Sequence, residues 1–344
     1  MTIKQIAELA GVSTATVSYA INDSRQVAPE TKKRVLEIVE QSGYRPNGIA
    51  KSLRVKQTHT IGVLVEDIRA FPVPPVINGI SEYAEQNKYQ ILLYDLHMLE
   101  SLLNRYYQIA TQKKKINDTI SWLLYGARVD AIIYVGMFDR DISGIFEKIE
   151  KPLVVSYSLT ADEWNRSVTY DSINISAALT RYLLEAGHEK IGVITGLEDT
   201  YPSRMRLDGV RQAFSEAGLS LDDALIKNGD WEYQSGYDCM RALLSADERP
   251  TAVFAMNDIM AAGAMDAITD GGLSIPADIS VVGFDNRELS YYLHPRLTTV
   301  NIDLKGIGLK AAQVAIDMIN KSDDGDAVLT LPCELVLRES VRRK

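Results

Sequence analysis

Three short helices in quick succession at the start of the chain constrain its fold more than any other feature. Apolar residues recur at helical spacing over residues 2–10 and 14–21, and again from residue 29. Gly11 breaks the first helix in a tight turn, Ser13 is a suitable N-cap for the second, and Pro29 opens the third. A helix, a short turn, a second helix and a supporting helix form the helix-turn-helix plan. The residues that this pattern assigns to a small core are Ile3, Ile6, Ala7, Ala10, Val17, Ala20, Ile21, Val35, Leu36, Ile38 and Val39.

Charge is divided unevenly along the chain. Residues 1–57 carry nine Lys or Arg against five Asp or Glu, a net charge of +4, whereas the whole chain carries −9 and residues 58–344 therefore carry −13. A basic head on an acidic body suits contact with phosphates, because an acidic surface is repelled by DNA. The first 57 residues are therefore predicted to bind DNA. The alternative is a small helical domain that touches no nucleic acid.

From Thr60 onward, short apolar runs alternate with amphipathic stretches. The strand-like runs are IGVLVED, YQILLYDL, DAIIYVG, PLVVSYS, KIGVITG, AVFAMND and ISVVGFD. The predicted helices are 76–88, 100–125, 140–149, 173–187, 203–217, 235–245, 258–270 and 304–320, and the segment from Asp95 to Tyr125 is long enough to require an extended or broken helix. This alternation predicts parallel sheets with helices on both faces. Because the strands are numerous and the pattern restarts near Asp171, two sheets are favoured over one.

Signals for export or a membrane span are not found in the sequence. The N-terminus is polar and starts a helix at once, unlike a signal peptide, and no apolar run approaches the roughly 18 residues of a spanning helix. Cys239 and Cys333 lie far apart without metal-ligand spacing. They are predicted to be reduced, partly buried thiols of a cytoplasmic protein.

Catalytic, cofactor and metal motifs are also not found, so we expect no enzyme, no cofactor and no metal. The histidines His59, His97, His188 and His294 are scattered, and neither a nucleophile elbow nor a P-loop is present. The stretch from Gly306 to Ala311 fits G-x-G-x-x-A, but it follows the polar NIDLK and no buried strand. A closely packed helix start is the favoured interpretation of those glycines.

Seven sequence blocks together resemble one family. The N-terminal blocks are TIKQIAELAGVSTATVSYAIN, VAPETKKRVLEIVEQSGYRPN and GIAKSLRVKQTHTIGVLVED. The later blocks are GHEKIGVITG, SRMRLDGV, AVFAMNDIMAAGAMDAI and IPADISVVGFDNRELSYYLHPRLTTVNID. In this order they resemble the lactose/galactose-repressor family of bacterial regulators over the whole chain. The resemblance implies an all-α helix-turn-helix DNA-binding domain followed by an α/β effector domain of two similar lobes, the type I arrangement of periplasmic sugar-binding proteins.

The same resemblance implies the domain boundaries. Residues 1–46 form the DNA-binding domain, residues 47–58 a hinge helix and linker, and residues 59–344 the effector-binding and dimerisation domain. Its expected first lobe comprises about 59–158 and 289–320, and its second lobe about 159–288 and 321–344. The effector is expected between the lobes, since ligands in such folds sit outside the carboxyl ends of the strands.

In the head, the resemblance places the second helix in the major groove with Thr14, Ala15 and Tyr19 at base edges. These side chains are small or aromatic, so they do not predict an operator sequence as bidentate Arg or Gln would. Thr16 and Ser18 are expected at phosphates, and Ser13 as a cap or a further phosphate contact. Solvated hydroxyls without DNA contact are the alternative for Thr16 and Ser18.

The segment from Asn47 to Arg54 is predicted to be a hinge helix. Asn47 can cap it, and Ile49, Ala50 and Leu53 fall on one side. A helix of this length is not stable alone in water. By resemblance it folds on DNA, pairs with its twin across a dimer and inserts Leu53 into the minor groove, where an aliphatic wedge kinks the duplex. A purely flexible linker is the alternative.

Candidate effector ligands follow from the same resemblance. Arg206, in SRMRLDG, spans effector hydroxyls or a carboxylate with its planar fork, and Trp231 stacks on the effector. Asn257 and Asp285 follow buried strands and are expected to bind hydroxyl groups. The further candidates are Asp171, after SVTY, and Asp67 and Phe71, in the proline-rich VEDIRAFPVPPVING.

These expectations define a dimeric transcriptional regulator of carbohydrate use, a repressor that binds a palindromic operator under the control of a sugar-like effector. No second arginine joins Arg206, which favours a neutral sugar over a sugar phosphate, and a purine stays open. Whether the effector induces or co-represses is also open. The alternative is a stand-alone solute-binding module without DNA activity.

Overall fold

The fold was analysed in a computed structural model that describes residues 1–21, 27–43, 57–99, 106–246, 248–323 and 325–343. The chain divides into two compact units, residues 1–58 and 59–344. Each unit is described by itself below.

The first unit is a bundle of three helices, α1 (Ile3–Ala10), α2 (Thr14–Ile21) and α3 (Pro29–Ser42). Thr2 caps α1 in a capping box with Gln5, and Gly11 ends it with a φ of 66°. The predicted core is confirmed for Ile6, Ala7, Ala10, Val17, Ala20 and Val35, which are buried together, with Ile3, Ile21, Ile38 and Val39 packed against them. Leu36 was predicted wrongly, because it is 40% exposed and adjoins the inward-facing Val35 on the outer side of α3.

The second unit alternates strands and helices, as the sequence predicts. Its strands are β1 (Thr60–Val65), β2 (Gln90–Asp95), β3 (Ala131–Val135), β4 (Leu153–Ser156), β5 (Arg166–Tyr170), β6 (Ile191–Thr195), β7 (Ile226–Asn228), β8 (Ala252–Ala255), β9 (Ser280–Val282), β10 (Thr299–Asn301), β11 (Val328–Leu331) and β12 (Glu334–Val336). Its α-helices are α4 (Val73–Gln86), α5 (Lys113–Ser121), α6 (Ser172–Glu185), α7 (Tyr201–Glu216), α8 (Tyr233–Leu244), α9 (Asp258–Asp270), α10 (Leu289–Tyr292) and α11 (Leu304–Ile319).

Two parallel sheets form the two lobes. The first sheet has the strand order β11-β5-β4-β3-β1-β2 and the second β7-β6-β8-β9, while β10 and β12 form a separate antiparallel pair. The strands β1, β3, β4 and β6 are almost entirely buried because helices cover both faces of their sheets. The chain passes between the lobes near residues 171, 302 and 332.

The lobe boundaries differ from those expected from the sequence. Strands β5 and β11 were expected in the second lobe, yet they pair with each other and complete the first sheet, Ser167 opposite Val328 and Tyr170 opposite Leu331. Both strands mix polar with apolar residues, so neither carries the continuous apolar run that marks a buried parallel strand. Pairing between these two strands, which are far apart in the sequence, sets their position in the first sheet, and local sequence pattern does not reveal it.

Two predicted helices also differ from the structure. Residues 140–149 form an irregular loop instead of a helix, because Asp141 accepts a hydrogen bond from the Ser143 amide (2.9 Å) and Gly144 takes a positive φ of 72°. The described part of the predicted helix 100–125 is broken, one of the two forms expected, into a 3₁₀ segment Tyr106–Gln112, helix α5 and a π-helical turn Trp122–Gly126.

Helices α4 and α11 pack backbone against backbone in the first lobe. A Cβ atom on Gly79 would meet the Lys305 carbonyl and lie 2.7 Å from the Leu309 amide nitrogen. A Cβ on Gly308 would likewise meet the Val76 carbonyl. The second glycine of the G-x-G-x-x-A stretch therefore serves close helix packing, the interpretation favoured from the sequence.

Replacing Gly79 with Ala should destabilise the second unit by about 1–3 kcal/mol, because the added methyl overpacks a backbone contact. Helix propensity alone would give the opposite sign, since Ala is favoured over Gly by about 1 kcal/mol. Urea unfolding followed by circular dichroism measures the difference. Glu85→Ala, on the exposed side of the same helix, is the matched control, and a more stable Gly79→Ala protein would contradict the packing argument.

Candidate functional site

The first candidate surface lies on α2 in the helical head. Thr14, Ala15 and Tyr19 are exposed there, Tyr19 by 46% of its surface. The neighbouring Val17 and Ala20 are buried and hold the helix against the head's core. The helix thus presents to solvent the three side chains expected at base edges.

Ser13 begins this helix as the sequence predicts. Its Oγ accepts a hydrogen bond from the Thr16 amide (3.1 Å) and lies 2.9 Å from the Thr16 hydroxyl. Thr16 and Ser18 are half-buried at the edge of the exposed face. The predicted hinge residues Asn47, Ile49, Ala50 and Leu53 lie outside the described residues.

The second candidate site is the cleft between the two lobes, and its centre is Arg206 on α7. This guanidinium is 4% exposed. It donates to the Tyr170 hydroxyl (3.0 Å) at the end of β5 and, through a short hydrogen bond, to the Met256 carbonyl after β8. Its Nη2 atom lies 3.5 Å from Asp285 after β9. Strand ends of both lobes therefore converge on one buried cation.

Aromatic rings surround this cation. The centre of the guanidinium lies 3.7 Å from the Phe284 ring centroid and 5.6 Å from that of Trp231. Tyr170 stacks on Tyr157 at 5.9 Å and contacts Phe284 at 6.4 Å. Because Tyr157 and Tyr170 belong to the first lobe and Phe284 to the second, the rings join the lobes beside the Arg206 charge.

Two carboxyl groups share this environment. Burial raises the pKa of Asp285 to about 6, although Arg206 and Arg287 oppose the shift. Burial also raises the pKa of Asp139, after β3, to about 6, opposed by Arg206 and by the Tyr170 hydroxyl. Both groups are mostly ionised at neutral pH, and the positive charge of Arg206 favours the ionised form of each.

A cavity of about 160 Å³ opens beside this network. Asp139, Tyr201 and Trp231 line it, and residues of both lobes form its walls. Trp231 takes a positive φ of 78°. A Cβ on Gly196 would collide with the indole ring, so a glycine at 196 is required for Trp231 to reach the cavity.

The structure brings some predicted effector ligands together and not others. Arg206, Trp231 and Asp285 form one cluster. Asn257 lies beside it, but its amide caps α9 at Met260 (2.7 Å) and donates to the Trp231 carbonyl (2.8 Å), so it positions Trp231. Phe71 lies 4.6 Å from the Arg287 guanidinium, at the contact of the two lobes.

Asp67 and Asp171 have other uses. The buried Asp67 carboxylate binds Arg69 and the Leu99 amide, each at 3.0 Å, and Arg69 lowers its pKa to about 2. Asp171 caps α6 through the Asn174 amide at 3.0 Å. Neither residue lines the cavity, and donors of the protein already occupy their oxygens.

Sequence reasoning did not identify Asp139, Tyr157, Tyr170 or Tyr201 as parts of the cleft. All four follow or end a strand or begin a helix at the edge where the lobes meet. The position of Asp139, just beyond the apolar run DAIIYVG, was the available signal. The two cysteines are free and half-buried, as predicted, and burial raises the pKa of Cys333 to about 12.

Asp258, the first residue of α9, is fully buried and binds the loop after β9. It accepts hydrogen bonds from the Thr299 hydroxyl (2.6 Å) and the Arg287 amide (2.7 Å). Burial, with the negative charge of Asp285, raises its pKa from 3.8 to about 8. At neutral pH this side chain is mostly protonated, unlike Asp139 and Asp285.

Among the described residues, no group of three or more His, Cys, Asp or Glu side chains could hold a metal ion. Nor does any helix in the described ranges combine the length and the apolar character needed to cross a membrane.

Comparison with known proteins identifies the family. Residues 2–47 match a family described as bacterial regulatory proteins, lacI family, and residues 180–341 match a periplasmic binding protein-like domain. The chain is 32% identical to the HTH-type transcriptional repressor PurR of Pasteurella multocida, over 100% of this chain and 99% of that repressor. It is also 32% identical to catabolite control protein A of Priestia megaterium, over 99% of each chain.

The solved structures similar to this chain include further transcriptional regulators. The lac repressor bound to ONPG in its repressed state superposes with a TM-score of 0.77 at 25% identity, covering 99% of each chain. The complex of the transcriptional regulator CelR with cellobiose superposes with a TM-score of 0.66 at 27% identity, also over 99% of each chain. A helix-turn-helix head and a two-lobed α/β body define a regulator with separate DNA and ligand sites. The chain belongs to the lacI family of bacterial regulatory proteins.

The titration of Asp258 predicts how stability depends on pH. The pKa is about 8 in the folded protein against 3.8 for the free side chain, so the native state binds the extra proton between these values. Its contribution to the free energy of unfolding is complete below about pH 4 and is lost as the pH rises through about 8. In urea unfolding, raising the pH from 6 to 9 should cost wild type about 2–3 kcal/mol more than Asp258→Asn.

Asp141→Asn, which changes an exposed carboxylate, is the control and should keep the wild-type pH dependence. Equal pH dependence in wild type and Asp258→Asn would show that Asp258 does not hold this proton.

Proposed function

We propose that this protein is a sequence-specific repressor of carbohydrate-utilisation genes, controlled by a small sugar-like effector bound between its lobes. The observation that carries the proposal is the presence, in one chain, of an exposed recognition face on α2 and a cleft built around the buried Arg206. The PurR repressor of Pasteurella multocida matches the chain from end to end, and the similar regulator CelR was solved with cellobiose. It acts in the bacterial cytoplasm as a homodimer, without catalysing a reaction.

The DNA side of the proposal rests on the head. Tyr19 supplies a hydroxyl donor to a base or phosphate, and Ala15 with the Thr14 methyl suits a thymine methyl. Ser13, Thr16 and Ser18 lie at the edge of the same face, where phosphates would run. A homodimer presents two such helices, which suits a palindromic operator.

Between head and cleft the proposed transducer is the hinge helix from Asn47 to Arg54. On DNA, Leu53 would wedge into the minor groove, supported by Ile49 and Ala50. An effector that changes how the lobes meet changes the spacing of the paired hinge helices. A coupling free energy of about 1–3 kcal/mol is typical of such control.

Arg206 and its partners form the effector side. A planar guanidinium with a nearby carboxylate, Asp285, can bind adjacent hydroxyl groups of one sugar ring. Trp231 offers a flat apolar face for the ring to stack on. Since both lobes line the cavity, a ligand there binds one relative orientation of the lobes better than another, which is the requirement for a shift in population.

Tyr19→Ala should weaken operator binding by roughly tenfold or more, because a base contact is worth about 1–3 kcal/mol. The operator is first selected from random duplexes with the full-length protein, and affinity is then measured by fluorescence anisotropy. Leu53→Ala in the same assay should also weaken binding, because the wedge is lost.

Leu9→Ala is the matched control, since Leu9 is 62% exposed on α1 and away from the proposed contact face. If no duplex is selected, or if all variants bind the operator with equal affinity, the DNA-binding proposal is contradicted.

Gly196→Ala should abolish or weaken the effector response by about tenfold or more while leaving operator affinity unchanged. The added methyl occupies the place of the Trp231 ring, and a misplaced stacking partner costs on the order of 1 kcal/mol or more. Thermal-shift screening of wild type against a sugar panel finds the responding sugar, and operator release then compares the variants. Gly325→Ala, a glycine replacement on the exposed surface, is the control, and an unaltered response in Gly196→Ala would place the effector elsewhere.

A further inference from the structure

One buried carboxylate in the cleft, that of Asp139, lacks a direct hydrogen bond within the described part of the chain, although Arg206 and the Tyr170 hydroxyl lie near enough to favour its charged form. Asp139 is 3% exposed, and neither of its carboxyl oxygens has a hydrogen-bond donor at bonding distance among the described residues. The same residue lines the 160 Å³ cavity. A buried, ionised carboxylate without donors is costly, so a ligand that supplies them is strongly favoured.

The cavity that Asp139 lines has aromatic walls. Phe138, Tyr201 and Trp231 line it together with the apolar Ile109. Aromatic faces attract cations through the negative charge of their π systems, and rings beside a carboxylate form the usual cage for an ammonium group. A neutral hydroxyl would gain little from these faces.

The charges of the cavity point the same way. Three carboxylates line it, those of Asp139, Asp141 and Asp199, with Arg140 and Arg204. Arg140 is already bound to the buried Glu66 at 2.6 Å, so Arg204 is the remaining lining cation, and the buried Arg206 beside the cavity also acts on Asp139. The lining itself carries more acidic than uncommitted basic groups, which disfavours a phosphate-bearing ligand.

Size limits the ligand further. An engineered protein cavity of about 150 Å³ holds one benzene molecule, so the cavity of about 160 Å³ suits a single ring.

The segment that carries Asp139 is held rigidly. The Glu66–Arg140 pair and the hydrogen bond from the Met137 amide to Glu66 (3.0 Å) fix it on both sides of Asp139.

We infer that the effector is a single-ring compound with a protonated amine, an amino sugar rather than a neutral sugar or a sugar phosphate, and that Asp139 receives the ammonium group. This inference rests on the proposed function, because it names the ligand class of the same cleft. It differs from the neutral sugar favoured by the sequence, in which Asp139 had no part.

The test compares matched pairs of probes on the full-length protein at pH 7.5. The pairs are glucosamine with glucose, galactosamine with galactose, and mannosamine with mannose, and glucose 6-phosphate is the anionic probe. Calorimetry should give at least one amine a dissociation constant about tenfold to a hundredfold below that of its hydroxyl partner, because hydrogen bonds to charged groups are the stronger ones. Glucose 6-phosphate should bind most weakly.

Asp139→Asn should remove the preference for the amine while keeping the fold, since it replaces a buried charge with a neutral group of equal size. Asp141→Asn removes a carboxylate from the exposed rim of the same cavity and should keep most of the preference. The melting temperature without ligand reports whether each variant folds, and the comparison of probes on wild type stands even where a variant does not.

The inference is overturned if no amine binds more tightly than its hydroxyl partner, or if folded Asp139→Asn keeps the preference. A neutral sugar that binds and changes operator affinity would overturn it while the proposed function stands. Operator binding that responds to none of the sugars, amines or phosphates would count against the effector part of the proposed function as well.

Discussion

A single buried cation, the guanidinium of Arg206, organises the body of this protein. Burying a charge is unfavourable unless it is paired and hydrogen-bonded, and here the partners come from both lobes: Tyr170 from the first sheet, and the Met256 carbonyl and Asp285 from the second. Each of these groups lies at or just beyond the carboxyl end of a strand of its own sheet, β5 in the first and β8 and β9 in the second, the position where ligands bind in parallel α/β sheets. The meeting of the lobes is thus tied to one charge, and any ligand that reaches it acts on both lobes at once.

The proposed mechanism follows from that arrangement. Packed interfaces tend to have discrete alternative arrangements rather than a continuous range, and the rings of Tyr157, Tyr170 and Phe284 form a packed contact between the lobes beside Arg206. A ligand between the lobes changes their preferred orientation only by its difference in affinity for the alternatives. The proposed hinge helix would be unstable alone at its length, so its folded population would respond to such a modest difference.

The sequence predicted the elements that depend on local pattern. The head was predicted nearly residue by residue, since caps, turns and helical periodicity are local. Arg206, Trp231 and Asp285 were located through motifs. The strands β5 and β11 were misplaced, because only pairing across more than 150 residues of chain separates them from the second lobe. Asp139 was missed for a related reason. Its burial and its lack of a direct hydrogen bond from the described residues arise from the contact between the two lobes, which local sequence pattern does not reveal.

The lack of a direct hydrogen bond at Asp139 from any described residue would also favour binding of the proposed effector in the cleft. A site that already holds its charged group in a dry, rigid position needs little rearrangement when the ligand arrives, and such preorganisation is a main source of affinity. The folded protein bears the cost of burying the carboxylate in the absence of ligand, and its pKa of about 6 keeps it ionised at neutral pH. Asp258, the buried first residue of α9, is mostly protonated at neutral pH because its pKa is about 8. The two aspartates therefore differ in charge. Asp139 is an anion suited to a charged ligand, whereas burial and the charge of Asp285 keep Asp258 neutral in a structural hydrogen-bond network.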